Sequence, residues 1–265
     1  MKTLNNKQVP PAQDPEEIVA AALKLPVQVV NHFRPVAWVA GITIVLIVFL
    51  LILPADIRTV FWRSLQSRAI VVIMLLTFSL VAISLVWSAG QRLDTWVFLS
   101  FNLRGSRPLW LDRIMLGFTQ IGNGFTSLGI GLVLFFVKDR LLAYVLFLGT
   151  LTLWLVVELV KFVVRRARPF IRLTQTRIVG YRARGRSFPS GHTSQSFFIA
   201  TLMVQHFHAN ALSAILIYTI ALLVGITRMY VGAHYPRDVL AGAILGSAWG
   251  LVGVIVEGYV LYGVW

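Results

Sequence analysis

Cysteine is absent from this chain of 265 residues, so disulfides, thiolate catalysis and cysteine-ligated zinc are excluded. Charge is scarce as well. Asp, Glu, Lys and Arg together make up 13% of the residues, roughly half of what a soluble domain carries. That charge has one dominant sign, 24 Lys and Arg against 10 Asp and Glu, for a formal net charge of +14. Internal repeats and low-complexity tracts are missing too, which leaves one domain as the simplest description. In a soluble protein such a basic excess points to nucleic acid. Here no basic helix or aromatic platform lies outside the apolar blocks, so no nucleic-acid partner is expected. The excess instead suits loops that meet anionic headgroups.

What the chain has in abundance is hydrocarbon. Hydrophobic residues make up 57% of it and the mean hydropathy is +0.78. They fall into seven blocks, near 36–54, 69–88, 114–137, 141–164, 191–209, 211–229 and 237–262. Each approaches the ~20 residues that carry a helix across ~30 Å of hydrocarbon. None alternates like a barrel strand, so the expected fold is all-α, a polytopic transmembrane helical bundle. About 35 mixed polar residues precede the first block, unlike a secretory signal. Within that tail, Asp14 and Pro15 predict a short amphipathic helix to about Leu25. Residues 90–113 mix Trp96, Phe98, Phe101 and Trp110 with Arg92, Asp94, Arg107 and Asp112, the pattern of a segment lying along the interface. The domain reading is a tail over 1–34, an additional span and loop over 35–68, and a membrane-embedded core over 69–265.

Three clusters of polar residues stand at the ends of these blocks, and alternation of the spans puts all three on one face. The first is Lys161 and Arg168 with Pro169. Their spacing of seven predicts one helical stripe, with the two cations roughly 10 Å apart along the axis and Pro169 ending the helix at about Arg168. An ammonium and a guanidinium fork both suit phosphate oxygens. Arg165 falls near the same stripe, and basic residues also anchor many helix ends at the headgroups. Glu158, one turn earlier, reads as an ion-pair partner for Lys161 or Arg165. The second cluster is Pro189, Ser190, Gly191 and His192. It places an N-cap, a close-approach glycine and a proton donor at a helix start, where free N–H groups attract anions. The third joins Arg228 at the end of one span to His234 and Asp238 across the start of the next. There the aspartate can take the imidazole N–H and leave the other ring nitrogen free. Histidines 206 and 208 and Glu257 belong at the opposite end of the bundle. Asn102, Gln120 and Asn123 read as structural hydrogen-bonding groups.

Taken together, these clusters resemble the signature of the type 2 phosphatidic acid phosphatase superfamily, which also includes the vanadium haloperoxidases. Lys-x6-Arg-Pro is met by Lys161, Arg168 and Pro169; Pro-Ser-Gly-His by Pro189 to His192; and Ser-Arg-x5-His-x3-Asp by Arg228, His234 and Asp238. The one departure is Thr227 where serine is usual. The resemblance covers about residues 90–262 and implies a six-helix phosphatase core, to which the first span is an addition. It implies His234 as nucleophile, Asp238 as its orienter and His192 as acid. Lys161, Arg168, Ser190, Gly191 and Arg228 would hold the phosphoryl group, with no cofactor and no metal. The implied reaction is hydrolysis of a lipid phosphate monoester or diphosphate through a phosphohistidine. Polyprenyl diphosphate, phosphatidic acid, phosphatidylglycerol phosphate and lipid A-type phosphates all fit. A phosphotransferase, a non-catalytic lipid-binding or transport protein and a zinc hydrolase on His192, His234 and Asp238 are the competing readings.

The expected location is the bacterial plasma membrane, with the bilayer and a lipid phosphate as partners and the oligomeric state open. Sidedness divides the indications. The motif-bearing face carries 19 Lys and Arg against 5 on the other, which favours the cytoplasm. The resemblance implies the outer face. Arg172, Arg177, Arg182, Arg184 and Arg186, on the loop between the first two motifs, are candidate headgroup selectors or ordinary surface charge.

Overall fold

A computed structural model describes residues Ile44, Val48, 68–103 and 107–262. The expected N-terminal amphipathic helix lies outside the described residues, as does the first apolar block apart from Ile44 and Val48. The described residues are helical or irregular and include no strand. The helices are α1 (Ala69–Ser84), α2 (Ser88–Leu103), α3 (Leu109–Ile121), α4 (Gly124–Phe136), α5 (Arg140–Val164), α6 (Pro169–Arg172), α7 (Gly191–His206), α8 (Ala211–Tyr230) and α9 (Pro236–Tyr262). The all-α bundle expected from the apolar blocks is what forms, and most block boundaries fall within a few residues of a helix end.

Three of these elements are long and apolar enough to cross a membrane unaided: α5 with the turn after it, α8, and α9. The remaining apolar sequence is bent. α1 gives way to α2 at an angle of 95°, so the chain changes direction where the mixed composition of 90–113 begins. The block expected as one helix over 114–137 is instead two, with α3 and α4 meeting at 57°. The reason is local: Asn123 takes an extended conformation and caps α4 by accepting from the Phe125 N–H, while Gly122 packs against the His192 carbonyl. A polar backbone at membrane depth is tolerated where protein or a cavity surrounds it.

α9 is the central strut. It lies against α7 along its most extensive helix contact, and also against α1 and α5. Between lipid-soluble helices apolar burial gives little drive, and close backbone approach does more. Gly242, Gly246 and Gly250 provide that approach, facing Ser190, Ser194 and Thr201 of α7. Beyond them Phe198, Leu202, Leu146, Leu153 and Leu245 fill the core between α5, α7 and α9. The outer surface is hydrocarbon, with Leu148, Leu155, Phe162, Ile215 and Leu222 all largely exposed. That belt marks an integral membrane protein.

At one end of the bundle, Asp139 caps α5 and contacts the Nε2 of His206 at 3.0 Å, and the Nδ1 of His206 lies 2.6 Å from Glu257. One imidazole thus ties three helices at the end opposite the motifs, where His206 and Glu257 were expected.

Candidate active site

The three polar clusters meet at the other end of α5, α7, α8 and α9. α5 ends sooner than its sequence predicts. Arg165 adopts a left-handed conformation, with φ of 53°, and its N–H returns to the Lys161 carbonyl, so the helix stops at Val164. Pro169 therefore does not end this helix; it opens the short α6. Lys161 and Arg168 are consequently not on one helical stripe, contrary to the spacing argument. Beyond the break, Arg166 and Arg168 are turned inward to buried partners.

Arg168 is fixed on every side. Its Nε donates to the Gly185 carbonyl at 3.1 Å, Nη2 to that of Arg184 at 2.9 Å, and Nη1 to that of Ala233 at 3.1 Å. The same Nη1 lies 3.1 Å from Nε2 of His234. A guanidinium has no acceptor, so this contact requires a lone pair on Nε2, and the neutral ring then carries its proton on Nδ1. His234 is 2% exposed, in the turn between α8 and α9. Burial, with the Arg168 guanidinium beside it, pushes its imidazole down to about 3. It is neutral at physiological pH.

Nδ1 points toward Asp238, but the distance to Oδ2 is 3.6 Å, too long for the hydrogen bond expected between them. The carboxylate is engaged elsewhere. It accepts from Arg166 Nη1 at 2.5 Å, from the Tyr235 N–H at 2.9 Å and from the Ser187 hydroxyl. The pair is thus apposed, with the aspartate locked from behind.

Ser190 caps α7, its Oγ accepting from the Thr193 N–H, and its own N–H donates to the Asp238 carbonyl at 3.0 Å. Gly191 leaves room for Lys161: a Cβ there would sit 3.8 Å from the ammonium. Lys161 also holds Glu158 at 2.7 Å, the pairing expected of that carboxylate. Arg228, 6% exposed, donates to Thr119 Oγ1 at 2.7 Å, while its Nε is buried without a partner. Thr227 uses its hydroxyl on Val224 and Thr119, a task a serine could share. His192 stands in the first turn of α7, within electrostatic reach of Arg228, His234, Lys161 and Arg168. It lines a cavity of 530 Å³ with Lys161 and Gly191 at one end and Phe147, Leu151 and Trp154 along the wall.

Known proteins resemble this chain in sequence and in fold. The PAP2 superfamily model matches residues 140–261. Phosphatidylglycerophosphatase B of Bacillus subtilis is 32% identical over 169 residues, covering 58% of this chain and 77% of that protein. The chain belongs to the PAP2 superfamily. Undecaprenyl-diphosphatase of Sulfolobus acidocaldarius is 25% identical over 192 residues, 70% of this chain and 90% of that one. Among solved structures, the transmembrane PAP2 type phosphatidylglycerolphosphate phosphatase of Bacillus subtilis superposes with a TM-score of 0.62 at 26% identity. It covers 72% of this chain and 98% of that one. Aquifex aeolicus LpxE gives 0.54 at 28%, over 60% and 93% of the two chains.

Two residues of this PAP2 site escape a sequence reading. Arg166, 4% exposed, reaches Asp238 and Asp94 together and lies 4.3 Å over the Tyr235 ring. Asp94, 3% exposed, also accepts from the N–H and Nε of Arg237. The available signal was scarcity: among only 10 acidic residues, one placed in an aromatic-rich segment calls for a buried cation. The arginine-rich loop is also partly redistributed. Arg177 is spent on Asp112 and on the Tyr230 ring, and Asn102 clamps its backbone, so Arg177 leaves the set of headgroup candidates.

Proposed function

We propose that this enzyme hydrolyses a phosphate monoester or diphosphate on a membrane lipid through a phosphohistidine at His234, releasing phosphate without a metal ion. It is a phosphatase, as its PAP2 relatives are. The reading rests on one observation: the Nε2 lone pair of His234 faces the cationic side of the site, beside the Arg168 fork and in reach of Arg228 and His192.

Phosphoryl transfer needs little beyond positioning and charge stabilisation of the equatorial oxygens. Lys161, Arg168 and Arg228, with the free N–H groups at Gly191 and His192, supply these. Nε2 of His234 attacks the terminal phosphorus as its bond to the leaving oxygen breaks, the lipid hydroxyl oxygen of a monoester or the bridging oxygen of a diphosphate, and His192 gives that oxygen its proton. Water then attacks phosphorus, its proton passes to His192, and the bond to His234 breaks to release phosphate. Asp238 stabilises the imidazolium character that develops. The cavity lined by Lys161 and His192 has an apolar wall, which suits a ligand with an anionic head and a hydrocarbon tail.

The test is phosphate release from lipid phosphates in detergent, with chelator present, by the purified protein and by His234→Ala and His192→Ala. Both variants should be inactive at normal expression, and the parent should yield an acid-labile phosphoenzyme. Full activity in His234→Ala would exclude the mechanism.

A further inference from the structure

The charges around His234 are sorted into two layers. On the face opposite the phosphate-binding cations lie Asp94, Arg166, Arg237 and Asp238, two of each sign and all linked. Arg166 donates to both carboxylates and to Gln91, while Arg237 donates to Asp94 and to Ser84. On the substrate side stand Arg168, Arg228 and Lys161, with His192 and Glu158. Tyr235 lies between the layers, under Arg166 and within electrostatic reach of Arg172. We infer that Arg166 is a positioning residue: by bridging Asp94 on α2 to Asp238 on α9, it fixes the carboxylate behind imidazole 234 and restrains its pull on the Nδ1 proton. The inference rests on the phosphohistidine reading.

The geometry supports this in three ways. Arg166 takes Oδ1 of Asp238 at 2.5 Å, which leaves Oδ2 as the oxygen facing His234, shared with Ser187 and the Tyr235 N–H. The Arg166 carbonyl accepts from the Ser187 N–H at 2.8 Å, so the same residue places a second donor to that carboxylate. Asp94 holds the far side of the guanidinium, and with it α2 becomes part of the support of the nucleophile. A carboxylate compensated in this way stays an acceptor, and the nearby imidazole stays neutral with its lone pair toward substrate.

The test compares Arg166→Met, Arg166→Lys, Asp94→Asn, their double variant and His234→Ala, each monitored for folded yield and for kcat/KM on a lipid phosphate between pH 4.5 and 9. Arg166→Met should lower kcat/KM about 10- to 100-fold, the range for partners behind a metal-bound histidine. It should also move the acid limb of the profile to higher pH. Without its cation, Asp238 acts wholly on the imidazole and favours the protonated ring, which cannot attack. Arg166→Lys keeps the charge without the fork and should lose rate with a smaller displacement. Asp94→Asn should lose rate alone, yet add little in the Arg166→Met background. A role in folding alone would scale the whole profile and leave the limb in place. An unmoved limb in both Arg166 variants, beside an inactive His234→Ala, overturns the inference and spares the mechanism. If Arg166→Met does not fold, Arg166→Lys decides. Activity in His234→Ala removes both.

Discussion

Gly242 offers the sharpest test of how the membrane scaffold sets the site. It lies one turn after Asp238 on α9, and a Cβ there would stand 2.7 Å from the Ser190 carbonyl oxygen and 3.0 Å from Thr193 Cβ. Ordinary contact begins near 3.4 Å, so Gly242→Ala must part α7 from α9 by about 0.7 Å at that point. The same movement strains the 3.0 Å bond from the Ser190 N–H to the Asp238 carbonyl. Overpacking of this kind costs ~1–3 kcal/mol. Replacing a helical glycine by alanine returns about 1 kcal/mol, so the net loss in stability is modest, roughly 0–2 kcal/mol. Activity should suffer more, because Gly191 and His192 shift relative to His234. Misplacement by about 1 Å can cost 10²-fold, so a fall in kcat of about tenfold or more is expected. The assay pairs thermal unfolding in detergent with phosphate release from a lipid phosphate. Gly129→Ala is the control, since nothing lies within 4 Å of its added methyl. If Gly242→Ala keeps the kcat of Gly129→Ala, the close approach of α7 and α9 does not set the chemistry.

Three further outcomes follow from the structure. Arg168→Lys loses the fork that holds three carbonyls and the His234 lone pair, and kcat/KM should drop by about 10²- to 10³-fold in steady-state assays. His234 has a folded value near 3 against an ordinary 6.5, so the unfolded chain binds the extra proton between those values. Its contribution to stability is full above about pH 6.5 and is lost as pH falls toward 3, by at most ~1.4 kcal/mol per pH unit. Melting curves of parent and His234→Gln across that window should converge on acidification, and parallel curves would refute the burial of a neutral ring. His206→Ala leaves Asp139 and Glu257 without their shared partner. It should lower unfolding stability by about 1–3 kcal/mol and leave specific activity unchanged.

The bundle was legible because lipid imposes one length and one polarity on every crossing. α5, α8 and α9 start and stop within a residue or so of their apolar blocks for that reason. The break at Gly122 and Asn123 was not read, since a window of average hydropathy smooths over two residues whose effect is conformational. The motif residues were legible through their spacing, and the structure brings Lys161, Arg168, Ser190, Gly191, His192, Arg228, His234 and Asp238 to one end of the bundle. The helical stripe argument for Lys161 and Arg168 failed because Arg166 and Arg168 find their partners far away in the sequence, on Asp94, Asp238, Ala233 and His234. Arg166 and Asp94 are 72 positions apart, and each looks locally like a headgroup anchor. Only the fold shows that they answer one another.

The anchoring of Arg168 by three main-chain carbonyls has a consequence for ligand choice under the proposed mechanism. A side chain already immobile loses almost no rotamer freedom when an anion arrives, so in that mechanism the N–H left free on the fork would meet any phosphoryl group at nearly the same small entropic cost. Discrimination among lipids would then fall to whatever is still free to rearrange: the hydrocarbon along the apolar cavity wall and the exposed Arg182, Arg184 and Arg186. Evolution can retarget such an enzyme by changing those parts and leaving its cation cradle untouched.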